Sequence, residues 1–441
     1  MRKTQLLLAL AAIGFAGSSF ATDGYFSHGN GMIAKGMGGA ATAMAEDTFG
    51  GANNPASMVW VGSRIDLGAD LFSPIRSASR AGSAGGTGAM DGSADSGMEY
   101  FLIPEFGYNR MINPDLSLGV SVYGNGGMNT SYSGGQIPAG NCGPGSPASN
   151  LLCGQGLLGV NLMQLIIAPT AAYKINESHS IGISPLFGYQ LFKARGLQAF
   201  QQISSSPSNL TNKGDSDDAS GWGVRIGWQG KITPTLTLGA AYSSKISMSK
   251  FNKYSGLFAE QGDFDIPENY SLGLAFQAMP NLTMALDYQR INYGGVKAIS
   301  NSSQTLGCIP APPFGPGVGN GCLGGSNGIG FGWTDVNVWK LGVAYKMDDK
   351  MTLRAGYNHT DNPIKSADVT FNILAPGVVE DHLTLGMSYA VSKTSDLTVS
   401  YMHAFENSVS GAPNPVYFNV GGTDKIKMYQ NSLGVAYSWK M

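Results

Sequence analysis

The chain has 441 residues, 43% of them hydrophobic and 13% charged, with 63 glycines and a formal net charge of −2. Soluble domains average about 25% charged residues and disordered chains are poorer in apolar side chains, so neither class fits. Beyond the first few residues Lys and Arg are scattered singly, and with no basic patch to displace counterions from phosphates, nucleic acid is not an expected partner.

At the start of the chain Arg2 and Lys3 precede an apolar run from Leu6 to Phe15 and a small-residue end at Ser19-Phe20-Ala21. This is the order of a secretory signal, so residues 1–21 are expected to be a signal peptide, cleaved before Thr22. The run is shorter than the ~20 residues of a spanning helix, and no later apolar run reaches that length. The rest of the chain is then either soluble or a barrel. Residues 22–56 show no alternation and read as a plug. Their run Gly36-Met37-Gly38-Gly39-Ala40-Ala41 suits close packing against a wall, and Glu46 and Asp47 are candidates to pair with inward arginines.

From about residue 57 apolar and small or polar residues alternate, the period of strands. Leu116, Leu118, Val120 and Val122 take one face, and Ser117, Gly119, Ser121 and Tyr123 the other. The pattern returns in LTLGAAY from Leu236, LTMALDY from Leu282, LGVAY from Leu341, LTLGMSY from Leu383 and LGVAY from Leu433. A soluble sandwich would alternate too, so loop lengths decide. Short turns such as Asn113-Pro114-Asp115, Thr233-Pro234 and Asp348-Asp349 alternate with long connections near 73–98, 128–161, 196–220, 247–267, 294–332, 361–380 and 407–424. Short turns at one rim and long loops at the other predict an antiparallel transmembrane β-barrel of about 14 strands over residues 57–441 in the bacterial outer membrane. In the last segment Tyr429, Leu433, Val435, Tyr437, Trp439 and Met441 share one face, with aromatics suited to a membrane interface.

If the apolar parity faces lipid, Arg64, Asp66, Asp70, Glu105, Arg225, Asp287 and Arg354 point into the lumen. Cys142, Cys153, Cys308 and Cys322 form two local pairs in Gly/Pro-rich stretches of an exported chain. Closing short loops costs least entropy, so Cys142–Cys153 and Cys308–Cys322 are the favoured disulfides, and the spacing is too wide for a metal knuckle. The histidines (His28, His179, His359, His382 and His403) accompany no nucleophile motif, and there is no phosphate-cradling loop. An enzyme, a metal and a cofactor are therefore not expected; His382 and His28 read as internal, structural residues.

Ala45-Glu46-Asp47 followed by Asn54-Pro55-Ala56 and Met58, together with the stretch from Trp333 to Pro363, resembles the FadL-like outer-membrane transporters of long-chain fatty acids and aromatic hydrocarbons. The resemblance spans essentially the whole mature chain, although Met441 stands where such barrels usually end on an aromatic residue. It implies a lumen closed by an N-terminal hatch, ligand capture in the outer loops, and lateral release through a kinked third strand. Here that strand reads Tyr123-Gly124-Asn125-Gly126-Gly127-Met128, with glycines that permit unusual backbone angles and leave no side chains to fill a gap. The expected cargo is a long-chain fatty acid, the alternatives being a monoaromatic hydrocarbon or, outside the family, polar solutes through a general porin. Lys193 and Arg195 meet either a fatty-acid carboxylate or, as their outward parity favours, a lipid phosphate. Outer-membrane lipid and lipopolysaccharide, periplasmic chaperones and the barrel assembly machinery are the expected partners of a monomer.

Overall fold

The computed structural model describes residues 22–211, 214–304, 307–310, 316–413 and 421–441, so the expected signal peptide lies outside the described residues. Fourteen long antiparallel strands form one closed wall, in which each strand pairs with its sequence neighbours and the last pairs with the first. They are β1 (Arg64–Ala81), β3 (Phe101–Asn113), β4 (Leu116–Asn129), β5 (Gly159–Lys174), β6 (His179–Arg195), β7 (Asp217–Thr233) and β8 (Leu236–Ser243). The circuit continues through β10 (Asn269–Met279), β11 (Leu282–Ile291), β12 (Val336–Lys346), β13 (Met351–Thr360), β14 (Asp381–Ser392), β15 (Ser395–Gly411) and β16 (Thr423–Lys440). Two short strands, β2 (Gly92–Asp95) and β9 (Ser247–Met248), extend the ladder at the outer rim, against β1 and β7. Closure runs from Arg64 opposite Lys440 to Ala81 opposite Thr423, leaving no long sheet edge to aggregate.

The parity read from the sequence holds along the wall. Leu118, Ile181, Ile183, Phe187, Leu272, Leu385 and Leu433 are exposed outward, whereas Ser117, Ser121, Ser180 and Ser184 are buried inward. On β16, Tyr437 and Trp439 pack at 4.5 Å between ring centroids on the outward face. Among the described residues no helix is long and apolar enough to cross a membrane; the crossing elements are the strands. Both disulfides have the favoured connectivity, Cys142–Cys153 and Cys308–Cys322.

Two boundaries differ from the sequence reading. The wall begins at Arg64 rather than near residue 57, because Pro55–Trp60 forms a 3-10 turn that ends the internal segment. The connection expected from residue 73 begins after Ala81, since β1 runs through Pro74. Pro74 lies between the pairing of β1 with β3, which ends at Phe72, and that with β2, which begins at Ser77. A missing N–H on that edge therefore costs no ladder bond.

Candidate functional site: the lumen, its N-terminal segment and the third wall strand

Residues 22–62 lie inside the barrel, and the inward charges predicted from parity hold them there. Lys35, on the helical turn Met32–Lys35, places its ammonium 2.9 Å from Asp70 and 3.6 Å from Glu105, with all three side chains buried. Asp66 accepts from the Thr48 N–H (2.9 Å) and hydroxyl (2.6 Å) while bound to Arg64 at 2.7 Å. Asp287 Oδ2 accepts two consecutive N–H groups, of Ala41 and Thr42, at 2.8 Å each. Arg354 reaches Glu46 at 3.6 Å, and Arg64 donates to the Glu46 carbonyl at 2.7 Å. Arg225 departs from the expected carboxylate pairing. It donates to the carbonyls of Gly51 and Ala52 and to the Tyr123 hydroxyl, 3.2 Å away. Buried charges in a low-dielectric interior persist only with such partners.

Asn54-Pro55-Ala56 is explained by local geometry. Asn54 caps the 3-10 turn by accepting the Ala56 N–H at 3.1 Å, and Pro55 occupies the first helical position, where no N–H is needed. The Asn54 amide then donates to Thr42 O (2.7 Å) and Trp228 O (2.9 Å), tying the segment to itself and to β7. The small-residue run meets the wall backbone directly. A Cβ on Gly36 would stand 2.9 Å from Gly386 Cα on β14, too close for any larger residue. His28 and His382 are both buried, stacked with centroids 6.2 Å apart.

The third wall strand, β4, carries the irregularity that its glycines suggested. Its ladder with β3 spans only Val122–Leu116 against Phe106–Asn113, so Phe101–Glu105 of β3 pairs with β1 alone. That leaves an unladdered stretch of roughly 16 Å at ~3.3 Å per residue. A bulge between Gly124 and Gly126 shifts the register with β5, and Tyr123–Asn129 is buried on both parities, so this half of the strand has moved inward. The edge vacated by β3 is taken by the N-terminal segment. Phe26 bridges Gly126, Ser27 N–H donates to Asn125 O at 3.1 Å, and Gly127 N–H donates to Tyr25 O at 3.1 Å. A side chain on Gly126 would overlap the Tyr25 carbonyl oxygen.

Above this junction a relay of aromatic rings, not visible in the sequence, descends from the outer loops. Phe192 packs on Tyr254 (4.8 Å) and Phe258 (4.6 Å), Phe258 on Phe264 (4.7 Å), and Phe264 on Tyr25 (6.3 Å). Tyr25 is also enclosed by Tyr293 and Trp333. Beside it lies Arg76 of β1, only 3% exposed, with no carboxylate partner among the described residues. Its guanidinium donates to the carbonyls of Asn129 and Met98, and Nε has no partner. Arg76, Tyr25, Met128, Trp333 and Met428 border a small cavity of about 10 Å³. Lys193 and Arg195 lie elsewhere, on the outward face of β6 at the outer rim.

The family model described as outer membrane protein transport protein (OMPP1/FadL/TodX) matches residues 9–438. Among solved structures, the chain resembles the toluene transporter TodX of Pseudomonas putida, with a TM-score of 0.68 and 19% identity over 94% of this chain and 99% of that one. A FadL homologue from Pseudomonas aeruginosa follows with a TM-score of 0.67 and 15% identity, again over 94% and 99%. The toluene transporter TbuX of Ralstonia pickettii gives 0.61 and 16% over the same shares. No curated relative matches the chain. With a closed 14-stranded wall, an occupied lumen and a family match across nearly its whole length, the chain belongs to the FadL/TodX family of outer-membrane β-barrel transporters of hydrophobic compounds.

Proposed function

We propose that the protein takes up long-chain fatty acids as a monomer. The cargo is captured by the aromatic relay of the outer loops and received beside Tyr25. It leaves sideways between β3 and β4 when the hatch, residues 22–62, lets go of β4. The carrying observation is the exchange of partners along β4, whose outer half leaves β3 and pairs with Tyr25–Ser27. A hatch bound to the strand that borders the gap couples arrival of cargo to opening of the wall. Lateral exit suits the cargo, because an apolar chain passing into lipid never crosses the aqueous lumen.

Arg76 favours an anionic head group over a neutral hydrocarbon. A buried guanidinium whose nearby carboxylate, Glu99, stays beyond ion-pair distance is costly, and a ligand carboxylate would satisfy it with bidentate, charge-assisted hydrogen bonds. A monoaromatic hydrocarbon is the alternative cargo within the same family; the solved toluene transporters and the FadL homologue, at 15–19% identity, speak to fold alone and favour neither cargo.

The test replaces Gly126 by Leu. The barrel should fold, as read by its heat-modifiable mobility on gels, while fatty-acid uptake falls at least tenfold. Unchanged uptake would remove the lateral route. A large steady conductance of the intact protein in planar bilayers would instead favour a general porin.

A further inference from the structure

The outer end of the β3–β4 gap has two faces. On the lumen side Arg76 holds both of its edges, taking the Met98 carbonyl ahead of β3 and the Asn129 carbonyl at the end of β4. On the outer side a shallow cavity of about 50 Å³ is lined by Met98, Ser131, Leu157, Asn161, Lys193 and Arg195. Strand register puts the two cations there: Asn161 stands opposite both Asn129 and Lys193, and Gly159 stands opposite Arg195. Lys193 and Arg195 continue the outward row of Ile181, Ile183, Phe187, Tyr189 and Leu191, so they rise directly from the apolar band.

Neither cation has an ion-pair partner among the described residues. The carboxylates on neighbouring β7 are engaged elsewhere. Asp217 accepts the Lys253 N–H at 2.7 Å, and Asp218 lies with the Tyr189 hydroxyl. The Asn161 amide oxygen, in the same groove, has no hydrogen-bond partner. Met98 and Leu157 are exposed beside these polar groups. The groove is therefore cationic at its top, apolar at its margins and continuous below with the lipid-facing wall.

We infer that this groove binds a phosphorylated glycolipid of the outer leaflet, a lipid A, with a phosphate between Lys193 and Arg195 and its acyl chains descending over the mouth of the β3–β4 gap. Placement in the outer membrane selects this occupant over a free anion: two adjacent cations suit a phosphate, and the apolar margins suit the chains attached to it. Long cationic side chains at the end of a membrane-facing strand reach the head-group level in this way. The inference goes beyond the uptake reading and does not depend on which cargo is carried.

Native mass spectrometry of the full-length purified protein with hexa-acylated lipid A tests it. Bis-phosphorylated lipid A should be retained by the wild type at least tenfold more than its dephosphorylated counterpart. K193A/R195A should lose that difference, whereas K425A/K427A, which removes two lysines from the outer end of β16, should keep it. Equal retention of the two lipids by the wild type overturns the inference without any variant. An equal loss in both double variants overturns it in favour of unspecific charge. Displacement of the lipid by millimolar inorganic phosphate overturns it in favour of a free-anion site.

Discussion

Lys35→Met isolates what holds residues 22–62 inside the barrel. The methionine keeps most of the side-chain length and removes the one cation that, among the described residues, lies within 4 Å of both Asp70 and Glu105. Removing one member of a buried ion pair costs ~3–5 kcal/mol, chiefly because the remaining charges stay buried without compensation. Here Asp70 keeps the Ser432 hydroxyl and Glu105 keeps a 3.3 Å hydrogen bond from Gly31 N–H. The lower end, ~3 kcal/mol, therefore applies. At ~1.4 kcal/mol per tenfold change, the docking equilibrium of residues 22–62 shifts by about a hundredfold. Hydrogen exchange followed by mass spectrometry reads this directly: peptides from 30–60 should lose protection while β10–β13 keep theirs. The variant K35M/D70N/E105Q, which removes the stranded charges, should recover most of the loss. Exchange in K35M within threefold of the wild type would refute the view that this triad carries the docking energy.

Arg76→Met should lower uptake of long-chain fatty acids at least tenfold and leave uptake of their neutral alcohols within twofold; an equal drop for both would assign Arg76 a purely structural role. Replacing Cys308 and Cys322 by Ser opens a loop of sequence separation 14, for which chain entropy gives about 3 kcal/mol, so the segment 316–331 should become markedly more open to protease while the wall stays folded. Asp263, in the outer loop between β9 and β10, titrates at about 6, raised by burial first and then by Asp265 and Glu260, with Lys245 and Lys250 opposing. A raised carboxyl favours the folded loop most at pH below about 4, and that contribution is lost as pH climbs from about 4 to 6. Intrinsic-rate-corrected exchange of 257–266 should therefore show less protection at pH 7.5 than at pH 5. D263N should abolish the difference, and a difference that survives in D263N points to another group.

The wall was legible because its physics is local. A strand between lipid and a polar lumen must alternate, and Leu118 against Ser117 or Ile183 against Ser184 records that choice residue by residue. The burial of Arg64, Asp66, Asp70, Glu105, Arg225, Asp287 and Arg354 follows from the same parity, and the lack of a wall strand before Arg64 from the lack of alternation there. Arg76 escaped notice because Pro74 made its surroundings read as loop. The aromatic relay escaped because Phe192, Phe264, Tyr293 and Trp333 come from four different stretches and meet only in three dimensions. The glycines of β4 signalled an irregular strand, but which partner that strand gave up is a non-local fact about β3.

That lost partner also explains why the gap and the pairing of β4 with Tyr25–Ser27 occur together. Within hydrocarbon, an unpaired backbone N–H or C=O costs several kcal/mol, so a barrel strand cannot simply part from its neighbour. β4 meets the constraint by turning Tyr123–Asn129 inward, away from lipid, where the Asn125 carbonyl accepts from Ser27 N–H and Gly127 N–H donates to the Tyr25 carbonyl. Withdrawal of those three residues would leave donors and acceptors on β4 needing water or the polar end of a ligand. The lumen can supply both: a polar cavity of about 40 Å³, lined in part by Asn125, Arg225, Asp287 and Lys340, adjoins Phe26 and Ser27. A wall opening of this kind is thus physically tolerable only on a strand whose free edge faces the lumen, which is why the bulge at Gly124–Gly126, the close approach of Gly126 to the Tyr25 carbonyl and the segment that covers this edge form one structural unit.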